Sequence, residues 1–156
     1  MVVSCPAYQY LLRNRRLVTD GRRVPKAYRH GYSWMADQMS AKIGLPPIGV
    51  KYPLWAWAYP KADIKCPGLG YSCRLPQDEK GFLIDFEAAD DSFLLSSFVH
   101  WDMVLRNNLE VNQVGLFCGI EDVEKSFAYD TGGSIQATLW ELSFSQVENV
   151  SEFISE

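Results

Sequence analysis

Seven cationic side chains fall within seventeen residues: Arg13, Arg15, Arg16, Arg22, Arg23, Lys26 and Arg29, opposed within that stretch only by Asp20. Long cations at this density can neutralise phosphate, and arginine can grip it through two parallel hydrogen bonds. Tyr8, Tyr10, Tyr28, Tyr32 and Trp34 lie among or beside them. Aromatic faces of this kind stack on bases or on a nicotinamide ring. Arg13, Arg16, Arg22, Arg23, Arg29 and Tyr32 are therefore the candidate ligand-binding residues. The same stretch could instead dock on an acidic surface of the same fold or stay solvated.

The asymmetry extends beyond this run. Residues 1–51 carry nine of the fifteen Lys/Arg and two acids, Asp20 and Asp37, while the whole chain has a net charge of −4. The first third is thus about +7 and the remainder about −11. A local basic surface on an acidic protein suits a defined anion: a nucleotide, a nucleic acid strand or an acidic protein. It argues against non-specific DNA binding, because the long-range field of the molecule repels a polyanion. Basic face against acidic face would also permit homo-oligomers.

Three other constellations could carry chemistry. Asp85, Glu87, Asp90 and Asp91 form an acidic cluster, and paired carboxylates can hold Mg²⁺ or share acid and base roles. No His or phosphate-binding glycine loop stands near them, so a solvated strand face is the plainer reading. His30 and His100 are the only histidines; His100 beside Trp101 could act as a base or pack in the core. In Ile135–Leu142, Gln136, Thr138 and Trp140 share one strand face and Glu141 points to the other. Buried polar groups need partners, so this face can line a cleft. No G-x-S-x-G elbow is present, and hydrolase chemistry has no motif support.

The elements that must position these residues follow from spacing and punctuation. Met1–Ser4 reads as a short strand. Ser4 caps a helix with Pro6 in its first turn, running to about Arg16, with Tyr8, Leu11 and Leu12 facing in. Tyr28, Tyr32, Met35 and Met39 recur at helical spacing and predict a helix over 26–43, stopped by Gly44 and Pro46–Pro47. Strands are expected at Pro53–Tyr59, Gly81–Glu87, Phe93–Ser96, Gly115–Cys118 and Ile135–Phe144. Helices are expected over 98–106 and 120–127. Ser145 and Glu148 suggest a capping box that starts a last helix. Strands interleaved with helices, without regular βαβ spacing, predict an α+β fold: a small mixed or antiparallel sheet with three to five helices packed on it.

At 156 residues the chain suits one globular domain, 1–156, with enough buried surface for a core. The four cysteines, Cys5, Cys66, Cys73 and Cys118, have no C-x-x-C spacing and read as reduced thiols, with Cys66–Cys73 as the one plausible bridge. No metal is implied. No signal peptide is evident, and no apolar run approaches the ~20 residues of a membrane span, so a cytoplasmic, non-membrane protein is expected.

Tyr32–Met35 (YSWM), Pro53–Trp57 (PLWAW) and Leu94–Trp101 (LLSSFVHW) together resemble the bacterial and phage family called domain of unknown function 3841, over roughly residues 1–110. That resemblance implies a phage or mobile-element setting, such as an inhibitor in a genetic conflict, and supplies no catalytic residues or cofactor. The layout, a strand and helix at the start and QATLWELSFSQVENV at the end, is also similar to small ADP-ribosyltransferase-like domains. That similarity implies NAD as cofactor, with Arg13 or Arg16 early, Ser96 on a middle strand and Glu141 as the late catalytic acid. Two readings stand: a binding module with a basic face, and an NAD-cleaving transferase.

Overall fold

The computed structural model describes residues 1–58, 75–98, 101, 105 and 135–155, and the backbone of 116–118. Its elements, in chain order, are β1 (Val2–Ser4), α1 (Cys5–Asn14), β2 (Arg16–Leu17), a 3₁₀ turn at Lys26–Tyr28, α2 (Arg29–Lys42), β3 (Leu54–Trp57), β4 (Lys80–Phe86), β5 (Phe93–Ser97), β6 (Leu116–Cys118), β7 (Ile135–Leu139), β8 (Leu142–Ser143), a 3₁₀ turn at Phe144–Gln146, and β9 (Val147–Ile154). The strands form three sheets, in the orders β1-β4-β9, β2-β8 and β3-β7-β5-β6. Every pairing is antiparallel. The fold is thus a mixed α and β arrangement built on antiparallel sheets, as expected.

The four-stranded sheet divides the core in two, and strand periodicity explains how. Side chains alternate between faces along a strand. Phe93 and Leu95 of β5, Leu54 and Ala56 of β3, and Ile135, Ala137 and Leu139 of β7 all join one cluster, with Val3, Leu11, Phe82 and Ile84. Leu94 of β5 faces the other way, into a cluster with Met35, Met39, Trp101, Leu105 and Trp140, against which Trp55 packs. One face therefore meets α1 and the β1-β4-β9 sheet; the other meets α2. Being covered on both faces is why FLLSS and IQATL are buried at every residue.

Helix α2 follows its stripe. Met35 and Met39 are fully buried, and Tyr28 and Tyr32 pack partly buried against the same cluster. Gly44, at φ +97°, takes the left-handed turn that ends the helix. Its carbonyl accepts a 2.9 Å hydrogen bond from Trp140 Nε1. Trp140→Phe removes that bond and also part of a buried ring system, so it should cost about 2 kcal/mol or more in a urea titration; an unmoved midpoint would show that neither the bond nor the packing of the indole contributes.

Several expectations are corrected. The first helix ends at Asn14, because Arg15 adopts a left-handed φ of 58°, and Arg16 belongs to β2 rather than to the helix. Leu12 is 42% exposed, not inward. The expected strand 135–144 is broken at Trp140 into β7 and β8. The capping box is real but sits two residues earlier, between Ser143 and Gln146, and closes only a 3₁₀ turn. The residues beyond it form β9, not a helix, because Val147–Ile154 pairs along all of β4 with one register shift at Asp85/Phe86. Two α-helices lie among the described residues, not three to five; the backbone is also helical at Phe98, Trp101 and Leu105. Tyr59, the expected helix at 120–127, His100 and the Cys66–Cys73 pair fall outside the described residues. No helix among the described residues is long and apolar enough to cross a membrane.

Candidate functional site

The cationic segment is a connected path along the surface. It leaves the end of α1, passes through β2 and turns back at Asp20. Leu17 and Val24, 5% exposed each, anchor it, while all seven cations around them are exposed. Thr19 Oγ1 donates 2.6 Å to the Pro53 carbonyl and fixes the turn to the start of β3.

Two carboxylates meet this segment. Asp20 accepts from Arg22 Nε and Nη2, each at 2.9 Å, and stands 3.8 Å from Arg23 Nε. The Arg22 side-chain hydrogen bonds, then its backbone N–H, hold the Asp20 carboxyl down at about 2 and raise the Arg22 guanidinium. Glu141 lies 3.3 Å from Arg16 Nη1. Arg15 stacks its guanidinium 3.6 Å above the Phe144 ring. Arg29 Nε donates to the Val24 carbonyl at 3.4 Å. Arg13 and Lys26 have no carboxylate partner among the described residues. Among the described residues, seven cations against two carboxylates leave a local excess of positive charge.

Tyr32 does not stand with the arginines. Its ring meets Tyr52 edge-on at 5.8 Å, Trp55 at 5.6 Å and Trp101 at 6.3 Å. Trp55 in turn stacks on Trp101 at 4.8 Å. Gly21, in the cationic turn, backs directly onto the Tyr52 ring, where an added Cβ would come within 3.4 Å. A continuous line of rings therefore runs from the basic turn, through Tyr52 and Tyr32, to Trp55 and Trp101.

That line ends at a cleft of about 250 Å³ lined by Tyr32, Trp55, Trp57, Phe98, Trp101 and Gln136, among others. Its floor is a cross-strand row: Trp57 is opposite Gln136 in the β3–β7 pairing, and Gln136 is opposite Ser96 in the β5–β7 pairing. Gln136 Nε2 donates to Ser96 Oγ at 3.3 Å. In the next row Thr138 Oγ1 donates to the Leu94 carbonyl at 3.4 Å. Of the polar face of the late strand, Gln136 alone lines the cleft; Thr138 is fully buried. What sequence reasoning missed is that the Trp55/Trp57 face of β3 forms the adjoining wall; their i, i+2 spacing was the available signal.

The two residues put forward as catalytic are not brought together. Ser96 is 1% exposed under Gln136, while Glu141 lies past the bend at Trp140, on Arg16. Asp85, Glu87, Asp90 and Asp91 are all exposed, Asp85 accepting from Asn149 Nδ2 at 3.3 Å. No group of metal-ligating side chains occurs among the described residues. A second cavity, about 300 Å³ between the sheets, is lined by Met1, Ile84, Phe86, Phe93 and Leu139, with Asp85 as its one charged side chain.

No curated protein and no solved structure matches the chain. A family model described as domain of unknown function (DUF3841) matches residues 7–110. That span holds α2, β3, β5 and most of the cleft's aromatic walls, so the chain belongs to the DUF3841 family.

Proposed function

We propose that the protein is a small binding module that holds a phosphate-bearing ligand, a nucleotide or a nucleic acid strand, on the cations of residues 13–29. The observation that carries this reading is the mismatch along that segment among the described residues: seven exposed cations, two carboxylates, and a backbone pinned by buried Leu17 and Val24. A solvated face would need no such anchoring, and a face docked within the fold would not leave every cation exposed. Preorganised arginines lose less freedom on binding than a floppy basic tail would. The partly exposed rings of Tyr32, Trp55 and Trp57 at the cleft favour a ligand with aromatic groups over an acidic protein. Service as an inhibitor in a phage or mobile-element setting, in the cytoplasm, belongs to the same proposal.

The test is a fluorescence-anisotropy titration at low salt with a labelled single-stranded decanucleotide, as DNA and as RNA, beside a glutamate-rich peptide and NAD. The expected result is saturable binding of a decanucleotide and none of the peptide. Binding of the peptide alone would move the assignment to an acidic protein partner. Binding of NAD with release of nicotinamide would favour the transferase reading, which Glu141→Gln should then silence. Binding of none of the four would overturn the proposal.

A further inference from the structure

The basic segment accounts for the phosphates of such a ligand but leaves the cleft unexplained. Two observations at the cleft point the same way. First, its walls are flat: Trp55, Trp57, Phe98 and Trp101, with the Tyr32 ring beside them. Second, its floor is polar. Gln136 is 5% exposed, yet only one end of its amide is used, Nε2 donating to Ser96 Oγ; the Oε1 end takes no hydrogen bond among the described residues. If the amide is turned the other way, it accepts from the Ser96 hydroxyl and offers its NH₂ instead, so in either orientation one end has no partner among the described residues. Buried polar groups are nearly always paired, and an orphan is unusual enough to need a cause.

We infer that the cleft is a subsite for one flat heteroaromatic ring with hydrogen-bonding groups on its edge, the nucleobase class. The ring stacks against Trp57 and its neighbours, and its edge pairs with the end of the Gln136 amide not bonded to Ser96. Size limits the occupant. A space of about 250 Å³ is below the roughly 300–1,000 Å³ of a site that encloses a drug-sized molecule. It takes one base and leaves sugar and phosphate outside, towards the cationic turn. A purely apolar ring would stack equally well but leave Gln136 unanswered, and buried polar groups left unpaired are what reject such analogues. This inference deepens the proposed function, because it names the ring that accompanies the phosphates, yet it can fail separately.

Free nucleosides carry no phosphate and so do not engage the arginines. The experiment is a titration of ¹⁵N-labelled full chain with adenosine, guanosine, cytidine and uridine to about 10 mM, followed through the five Trp indole signals, with indole as the apolar-ring control. At least one nucleoside should shift the Trp55 and Trp57 signals saturably and bind more tightly than indole. Trp57→Ala should weaken that binding at least about tenfold, and Gln136→Leu should remove the preference over indole. If Gln136→Leu fails to fold, the partly exposed Trp57 and the indole comparison decide the question. No indole shift with any nucleoside, indole binding as well as the best nucleoside, or unchanged affinity in Trp57→Ala would each overturn the inference. Nucleoside binding without decanucleotide binding would fault the basic-segment proposal alone.

Discussion

Replacing Met35 by aspartate should lower the stability of the fold by at least about 3 kcal/mol. Met35 is fully buried on the inner face of α2, in the cluster with Met39, Leu94, Trp101 and Trp140. A carboxylate there has no cation within the cluster to pair with, and the cavity left by the thioether adds to the desolvation cost. For a chain of this size each kcal/mol moves the melting temperature by roughly 2–4 °C, so a fall of about 10 °C is expected by calorimetry. Met35→Leu conserves volume and should cost under about 1.5 kcal/mol. A Met35→Asp protein melting within two or three degrees of the parent would show that α2 does not pack through this stripe.

Helix α2 was legible because its evidence is local. Tyr28, Tyr32, Met35 and Met39 lie on one side of any α-helix, whatever the rest of the chain does. β5 and β7 were legible too, since short apolar runs at Phe93 and Ile135 can only be buried. The C-terminal strand was not. SQVE offers a helix start over a few residues, whereas β9 exists through its pairing with β4, seventy or so positions earlier. Long-range pairing outweighs a local cap when the following residues, Val147, Val150 and Ile154, are β-branched. The site divides in the same way. The cations and the polar residues of IQATL can be read directly. The Arg16–Glu141 pair, 125 positions apart, and the departure of Tyr32 from the arginines to the Trp101 ring cannot, because each depends on which surfaces the sheets bring together.

Reversing Arg22 and Arg23 to glutamate should weaken decanucleotide binding at least about 100-fold at ~0.1 M salt while leaving the fold intact. The Arg22 and Arg23 side chains are 91% and 71% exposed, so little packing is lost and the melting temperature should stay within a few degrees. The local charge changes by four units, and Asp20 loses the guanidinium hydrogen bonds that hold its carboxyl down at about 2. A carboxylate with a depressed folded value contributes stability above its ordinary range and loses it as pH falls through that folded value. The parent turn should therefore keep its geometry well into acid, and the double variant should lose that resistance. Unchanged strand binding in a folded double variant would remove these arginines from the site.

The most direct test of the central claim is the salt dependence of decanucleotide affinity, measured for the parent and the Arg22→Glu/Arg23→Glu variant. Each phosphate contacted on a single strand contributes about −0.7 to the slope of log K against log salt. With three to five phosphates held by the cations of residues 13–29, the parent slope should fall between about −2 and −3.5, and the loss of two contacts should bring the variant slope about 1.4 nearer zero. A parent slope near zero, or the same slope in both proteins, would contradict the assignment of this segment as the phosphate-binding surface.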